Sequence, residues 1–256
     1  MQPETTVKKH LSSILQATSI ERLWPIVVNA LDQYGFDRLM FISTKFATVN
    51  HWGNMSDWLI LTNHDPDVVE IFIGTDMFLK TAKVLWPPGV QPGAYAWPVL
   101  PEYRARPNLN ESQIAYAQLR EDHGLAAGYS IWFSEVSERH KSVLGLCARR
   151  GLTQKDVDAL WQDHGEDILL IANLAHLKLS TLPNPDTRQR LTARQYEILE
   201  WLADGKSGKD IAELLKISYV TVEKHLRQAR EALGVETTAQ AVQKVALLNQ
   251  LFLPKN

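Results

Sequence analysis

The run Asp210-Ile-Ala-Glu-Leu-Leu-Lys-Ile-Ser-Tyr-Val-Thr-Val-Glu-Lys-His-Leu-Arg-Gln-Ala-Arg230 constrains this chain more than any other stretch. Ile211, Ala212, Leu214 and Leu215 make the apolar side of one short helix, and Val222, Leu226 and Ala229 recur at helical spacing on a second. Ser218 stands where the second helix should begin, as an N-cap. The outward side of that helix carries Thr221, Lys224, Arg227 and Gln228, groups that bond phosphates and base edges. Two such helices joined by a tight turn describe a helix-turn-helix, whose second helix enters the major groove of DNA. An ordinary amphipathic helix pair is the plainer reading of the same pattern.

The flanks decide between the two. They read Leu191-Thr192-Ala-Arg194-Gln195-Tyr-Glu-Ile-Leu199 through Gly205-Lys206, then Ala232-Leu233 and Thr238-Ala239. Over about residues 188–252 the chain resembles the DNA-binding domain of LuxR-type transcription factors. The shared elements are Leu-Thr-x-Arg, Glu-Ile-Leu, Gly-Lys, Ile-Ala, Ile-Ser, Thr-Val and the His-Leu of the recognition helix. Gln195 departs from the family's usual Glu, yet Thr192 and Gln195 still form a capping box, because a glutamine carbonyl also reaches the cap amide. On this resemblance residues 218–231 are the recognition helix. Arg227 and Lys224 hold the DNA, Val220, Thr221 and Glu223 face base edges, and Lys206, Ser218 and Arg230 complete the expected DNA-binding set.

Composition is consistent with this and would not have disclosed it. A length of 256 residues suits one or two domains, and 45% apolar with 22% charged residues builds a globular core. The formal net charge is −2, but residues 186–256 carry +2 against −4 for the remainder. A DNA-binding domain needs only a local basic face. Cys147 is the one cysteine, which excludes an intrachain disulfide and a cysteine-rich zinc site. The N-terminus lacks a signal-peptide layout and no apolar run reaches membrane-spanning length, so a cytoplasmic protein with no membrane partner is expected.

Thr181-Leu-Pro-Asn-Pro-Asp-Thr-Arg-Gln-Arg190 has two prolines, polar neighbours and no periodicity, and reads as a linker between domains at 1–180 and 191–256. Before it, residues 154–179 form a long helical pattern with Val157, Leu160, Trp161, Ile168, Ile171 and Leu174 on one side. Core packing explains that stripe, and a dimer interface is the alternative. The terminal helix Thr238–Leu251 offers Val242, Val245, Ala246 and Leu248 in the same way. Since palindromic DNA sites call for two-fold symmetric proteins, a homodimer is expected.

The N-terminal part alternates. Helical patterns cover 5–16 and 22–34, strand-like runs fall at Leu39–Ser43 and Trp58–Thr62, and helices follow across 65–73 and 76–86. Further strands are expected at Ala94–Trp97, Gly128–Phe133 and Val143–Ala148, with a helix near 111–123. The expected fold class is α+β: an α-β-α sandwich around an antiparallel sheet of about five strands, then an all-α helix-turn-helix bundle.

This layout resembles the autoinducer-binding domain of LuxR-type quorum-sensing regulators, which holds an acyl-homoserine lactone between a five-stranded sheet and helices. The likeness rests on Thr62-Asn63-His64, Gly93-Ala-Tyr-Ala-Trp97 and Gly124-Leu-Ala-Ala-Gly128. It implies that Trp97 donates its indole N–H to the lactone carbonyl; packing in the core is the other reading of Trp97. Counting from Thr62-Asn63, the family's pocket Trp falls on Val68, its Tyr on Phe72, and its Asp-Pro pair on Thr81-Ala82. The Asp and Tyr normally bond the signal's amide, and Phe72 has no hydroxyl to replace the Tyr. One residue is also added in the loop Trp86-Pro-Pro-Gly-Val-Gln-Pro92. Either the ligand is not a standard acyl-homoserine lactone, or Ser130, His64 or Tyr95 replaces the missing contacts. Apolar grip then provides more of the affinity, which favours long or aromatic acyl groups.

Enzymatic readings find no support. No phosphate loop, nucleophile elbow or metal-ligand spacing appears, and neither a catalytic residue nor a cofactor is expected. Cys147 lies in an apolar run and reads as a small buried hydrophobe. The function expected is therefore a ligand-responsive transcriptional regulator that binds double-stranded DNA at a palindromic promoter site and senses a small autoinducer. The alternative is a LuxR-like regulator without acyl-homoserine lactone control, ligand-independent or answering to another molecule or a protein partner.

Overall fold

The computed structural model describes residues 3–48, 51–85, 91–184 and 191–253. The chain divides into two compact units, Met1–Ser180 and Thr181–Asn256. The first opens with helices α1 (Pro3–Gln16) and α2 (Ile20–Asp32), followed by strands β1 (Phe36–Thr44) and β2 (Leu59–Thr62). Helix α3 (Pro66–Val69) runs into a π-helical turn at Glu70–Gly74, and α4 (Met77–Leu85) follows. Then come β3 (Gly93–Ala96), α5 (Leu100–Arg104), α6 (Glu111–Asp122), β4 (Gly128–Trp132), β5 (Lys141–Ala148) and α7 (Gln154–Thr181). The short helix α5 and a 3-10 turn at Met55–Asp57 have no counterpart in the sequence reading. Residues 86–90 of the proline-rich loop and 185–190 of the expected linker lie outside the described residues.

The five strands form one antiparallel sheet in the order β2-β1-β5-β4-β3. Register sorts their side chains into two faces, because opposed residues in an antiparallel pair share a side. Met40 pairs with Gly145, Gly145 with Ser130, and Ser130 with Tyr95, so these four share one face with Ile42 and Val143. Leu39, Phe41, Leu146 and Ile131 point the other way, and all are at most 2% exposed. Both faces are thus buried, which is why β1 reads as an apolar run rather than a strict alternation. Helix α7 covers the second face, stacking Trp161 on Tyr129 at 4.1 Å and His176 on Phe133 at 4.2 Å.

Val157, Ile168 and Ile171 of α7 are fully buried within this unit, so the core claims half of the stripe offered for a dimer interface, while Leu160, Trp161 and Leu174 are half-buried. Leu170 and Leu177 remain exposed on the same helix. Cys147 is buried on β5, and burial pushes its thiol up to about 12, so no thiolate forms at neutral pH.

The second unit packs α8 (Ala193–Ala203), α9 (Gly208–Leu214), α10 (Tyr219–Leu233) and α11 (Thr238–Leu247) around Ile198, Leu199, Ile211, Val222, Leu226 and Val245. Each helix starts where a cap puts it. Thr192 Oγ1 accepts from the Gln195 amide at 3.3 Å while Gln195 Oε1 accepts from the Thr192 amide at 2.8 Å, the expected reciprocal box. Ser207 with Asp210 and Thr237 with Gln240 form two more boxes, and Ser218 Oγ caps α10 by accepting from the Thr221 amide. Gly234 ends α10 at φ +65, a left-handed position that costs glycine little. Leu214, expected on the apolar side of α9, is half exposed, and Val245 and Leu248, expected across a two-fold axis, lie in this unit's own core. Helix α11 stops at Leu247 rather than Leu251.

Candidate functional site

A cavity lies between the first sheet face and the helices that cover it. Met40, Ile42, Ser130, Val143 and Gly145 form its floor. Val68, Phe72 and Phe78 wall one side, and Tyr116, Leu119 and Arg120 of α6 wall another, with His64, Trp97 and Leu125 completing the lining. The space open to water is about 70 Å³, where one water needs about 10–15 Å³. Two glycines make the floor flat enough for the Trp97 indole. A Cβ on Gly128 would fall 2.2 Å from the Leu146 carbonyl oxygen and 2.9 Å from the Trp97 ring, and Gly145 faces the same ring.

Of the residues singled out for a pocket, His64, Val68, Phe72, Trp97 and Ser130 line this cavity. Trp97 Nε1 donates to Ser130 Oγ at 2.9 Å, so each already holds the other. Phe72 lies edge-on to Phe78 at 5.7 Å and tilted against Tyr116 at 5.9 Å. His64 Nδ1 is buried without a partner among the described residues. Burial first, and then Arg38, holds this imidazole down at about 4, so it is neutral at pH 7 and offers one donor and one acceptor.

Thr81 and Tyr95 are placed elsewhere. Thr81 is fully buried but absent from the lining, and its hydroxyl donates to the Met77 carbonyl at 2.7 Å within its own helix. Back-bonding of this kind is what a helical threonine does when no other acceptor is near. Tyr95 shares the cavity's sheet face, but on the edge strand β3, where it is 39% exposed and donates to the Gln91 carbonyl.

Arg120 is the charged lining residue that sequence reasoning missed. An arginine in the last turn of a helix reads as a solvated partner of the helix dipole. Here it is fully buried, donating from Nε to the Leu125 carbonyl and from its two terminal nitrogens to the carbonyls of Pro98 and Ala126. The one available signal is the loop Gly124-Leu-Ala-Ala-Gly128 directly after it, rich in backbone carbonyls and poor in side chains to satisfy them.

In the second unit, Val220, Glu223, Lys224 and Arg227 form an exposed stripe at i, i+3, i+4 and i+7 on α10, with Val220 at 76% exposure. Ser218 and Thr221 sit at its N-terminal end, bonded hydroxyl to hydroxyl at 2.8 Å. Arg227 pairs with Glu231 at 2.7 Å on an exposed surface, a weak interaction that a phosphate can replace. Arg230 is half-buried and donates to Thr238 Oγ1, so it fastens α10 to α11. Lys206 is exposed just before the Ser207 cap of α9. Tyr219, not anticipated, is 48% exposed beside the stripe, and a hydrogen bond to Glu223 pushes its phenol upward.

Residues 19–179 match the family model of the autoinducer binding domain, and residues 189–245 match that of bacterial regulatory proteins of the luxR family. The quorum sensing-dependent transcriptional regulator RpaR of Rhodopseudomonas palustris is 38% identical over 86 residues, 33% of this chain and 35% of that one. The transcriptional activator VanR of Vibrio anguillarum is 30% identical over 141 residues, 54% of this chain and 57% of that one. The chain thus spans between a third and just over half the length of these two relatives. Among solved structures, the N-acylhomoserine lactone dependent LuxR family transcription factor CepR2 of Burkholderia cenocepacia aligns at TM-score 0.50 and 17% identity. That alignment covers 69% of this chain and 94% of the other, and at such identity it speaks to the fold alone.

Proposed function

This chain belongs to the luxR family of bacterial regulatory proteins and carries that family's autoinducer-binding domain, and on that premise we propose that it is a ligand-responsive transcriptional regulator. The observation that carries the proposal is the pairing, in one chain, of a cavity with an aromatic lining and an exposed, capped helix bearing Lys224 and Arg227. Residues 1–180 then form the ligand-binding domain, 181–190 the linker and 191–256 the DNA-binding domain. The ligand is a small amphipathic signal, an acyl-homoserine lactone or a relative of one. It is held in an apolar aromatic lining with polar groups from His64, Trp97 and Ser130.

Val220, Thr221 and Glu223 read base edges of a palindromic site, with Lys224 and Arg227 on phosphates and Ser218 and Lys206 near the backbone. The working unit is a homodimer in the cytoplasm, and it carries out no catalysis. Sedimentation of the full-length protein at micromolar concentration should give twice the chain mass, and a strict monomer that binds a palindrome tightly contradicts the dimer.

A second reading, a regulator freed from acyl-homoserine lactone control, is favoured by one feature. The Trp97 indole and the Ser130 hydroxyl, polar groups of the cavity lining, are already bonded to each other. Thermal denaturation separates the two readings. Purified protein is melted with an organic extract of its source cells and with a chain-length series of acyl-homoserine lactones. A ligand at 100 times its dissociation constant should add about 2.7 kcal/mol of stability. No shift with any of them, while DNA binding persists, supports the second reading.

A further inference from the structure

Among the described residues the cavity lining holds one formal charge, and it is positive. Arg120 is fully buried, and its guanidinium lies 5.3 Å from the ring centre of Trp97 and 5.9 Å from that of Tyr116. Its bonds run to three backbone carbonyls, those of Pro98, Leu125 and Ala126, at 2.9–3.0 Å. Carbonyl dipoles and ring faces attract a cation but carry no net negative charge. Among the described residues no carboxylate lines the cavity and none pairs with Arg120. Burial of a charge without a counter-ion is strongly unfavourable, and a buried lysine or histidine escapes by losing its proton. Arginine does not.

The remaining polar groups lean the same way. A guanidinium has five N–H groups, and three are used here, leaving one on each terminal nitrogen. Ser130 accepts from Trp97 and keeps its own proton to donate. His64 is neutral, with one ring nitrogen unpartnered. The rest of the lining is largely apolar, with Phe72 and Phe78 edge-on to each other at 5.7 Å.

We propose that the cavity takes a small hydrophobic monocarboxylate, its apolar tail against Phe72 and Phe78 and its charged head on the Arg120 and Ser130 side. The proposal rests on the reading of this cavity as the ligand site and names the charge of what enters it.

The test uses full-length protein at pH 7.5 and calorimetric titration with decanoate and trans-cinnamate, each against its own primary amide. Acid and amide match in size and differ in charge. Each acid should bind at least about tenfold more tightly than its amide, a difference of about 1.4 kcal/mol. Arg120→Gln should reduce that ratio to about twofold or less, and Arg120→Lys, which keeps the charge, should retain a preference for the acid. Circular dichroism checks that the Gln variant folds; where it does not, the wild-type ratio decides. Amides binding as tightly as the acids overturns the proposal and leaves the ligand-site reading standing. Binding of lactones alone overturns it as well. Failure of acids, amides and acyl-homoserine lactones together removes the ligand site itself.

Discussion

The exposed stripe of α10 is assembled from four residues within eight positions of one another, whereas the cavity of the first unit draws on residues from Met40 to Gly145. The stripe needs a helix that starts at Ser218 and an apolar side to seat it, and both conditions are local. The cavity needs three strands in register, two flat positions beneath an indole and a helix that brings in Arg120. A function built on one helix therefore survives changes far from it. One built between layers is altered by a single methyl group in the wrong place.

Gly128→Ala should break the cavity most severely. The added Cβ meets the Leu146 backbone at 2.2 Å and the Trp97 ring at 2.9 Å, neither of which yields cheaply. We expect a loss on the order of 3 kcal/mol, read as a lower urea midpoint. Gly145→Ala sharpens the contrast, because its Cβ meets only ordinary contacts at 3.7 and 3.9 Å. That variant should fold with near wild-type stability and bind cavity ligands less well. Equal stability of the two variants would show that the sheet relaxes freely beneath Trp97.

His64 gives the cavity a pH dependence of its own. Burial and the nearby Arg38 hold its pKa at about 4, against 6.5 in the unfolded chain. Between those values the unfolded chain binds more protons, so this contribution is complete above about pH 6.5 and is lost as pH falls toward 4. The loss is on the order of 2–3 kcal/mol. The stability difference between wild type and His64→Gln, followed by urea denaturation from pH 7.5 to 4.5, should change by that amount. A difference that stays constant with pH places His64 in solvent.

The smallest effect belongs to the local side. Thr192→Ala removes one half of a capping box and should cost about 1 kcal/mol, while Gln195→Glu keeps the reciprocal bond and should cost almost nothing. A loss above about 3 kcal/mol for Thr192→Ala would mean that this cap also serves packing.

The same contrast explains what could be read before the coordinates. The Thr192 cap, the start of α10 at Ser218 and the period of Val222, Leu226 and Ala229 are statements about neighbours three or four positions apart. The five strands are legible too, as short runs bounded by turn residues, although Gly93-Ala-Tyr-Ala96 carries no β-branched residue. The direction of the Thr81 hydroxyl is not, because whether it bonds Met77 or a ligand depends on whether the assembled layers bring that side of its helix to the cavity. Arg120 is hidden for a related reason. Its carbonyl partners at 98, 125 and 126 converge only when β3, α6 and β4 are assembled, so in sequence it looks like any arginine near a helix end. The fate of the α7 stripe turned on the same kind of information, since the layer it covers decides whether Val157 and Ile171 face the core.

The central claim is that this chain holds DNA through the exposed face of α10, and the salt dependence of duplex binding tests it most directly. Fluorescence anisotropy of a labelled duplex, titrated with full-length protein at a series of salt concentrations, yields the slope of log affinity against log salt. Each neutralised phosphate contributes about −0.9 to that slope. Binding by the wild type should depend steeply on salt, with a slope reduced by about one unit in Arg227→Ala and again in Lys224→Ala. An affinity and slope unchanged in the double variant would contradict it.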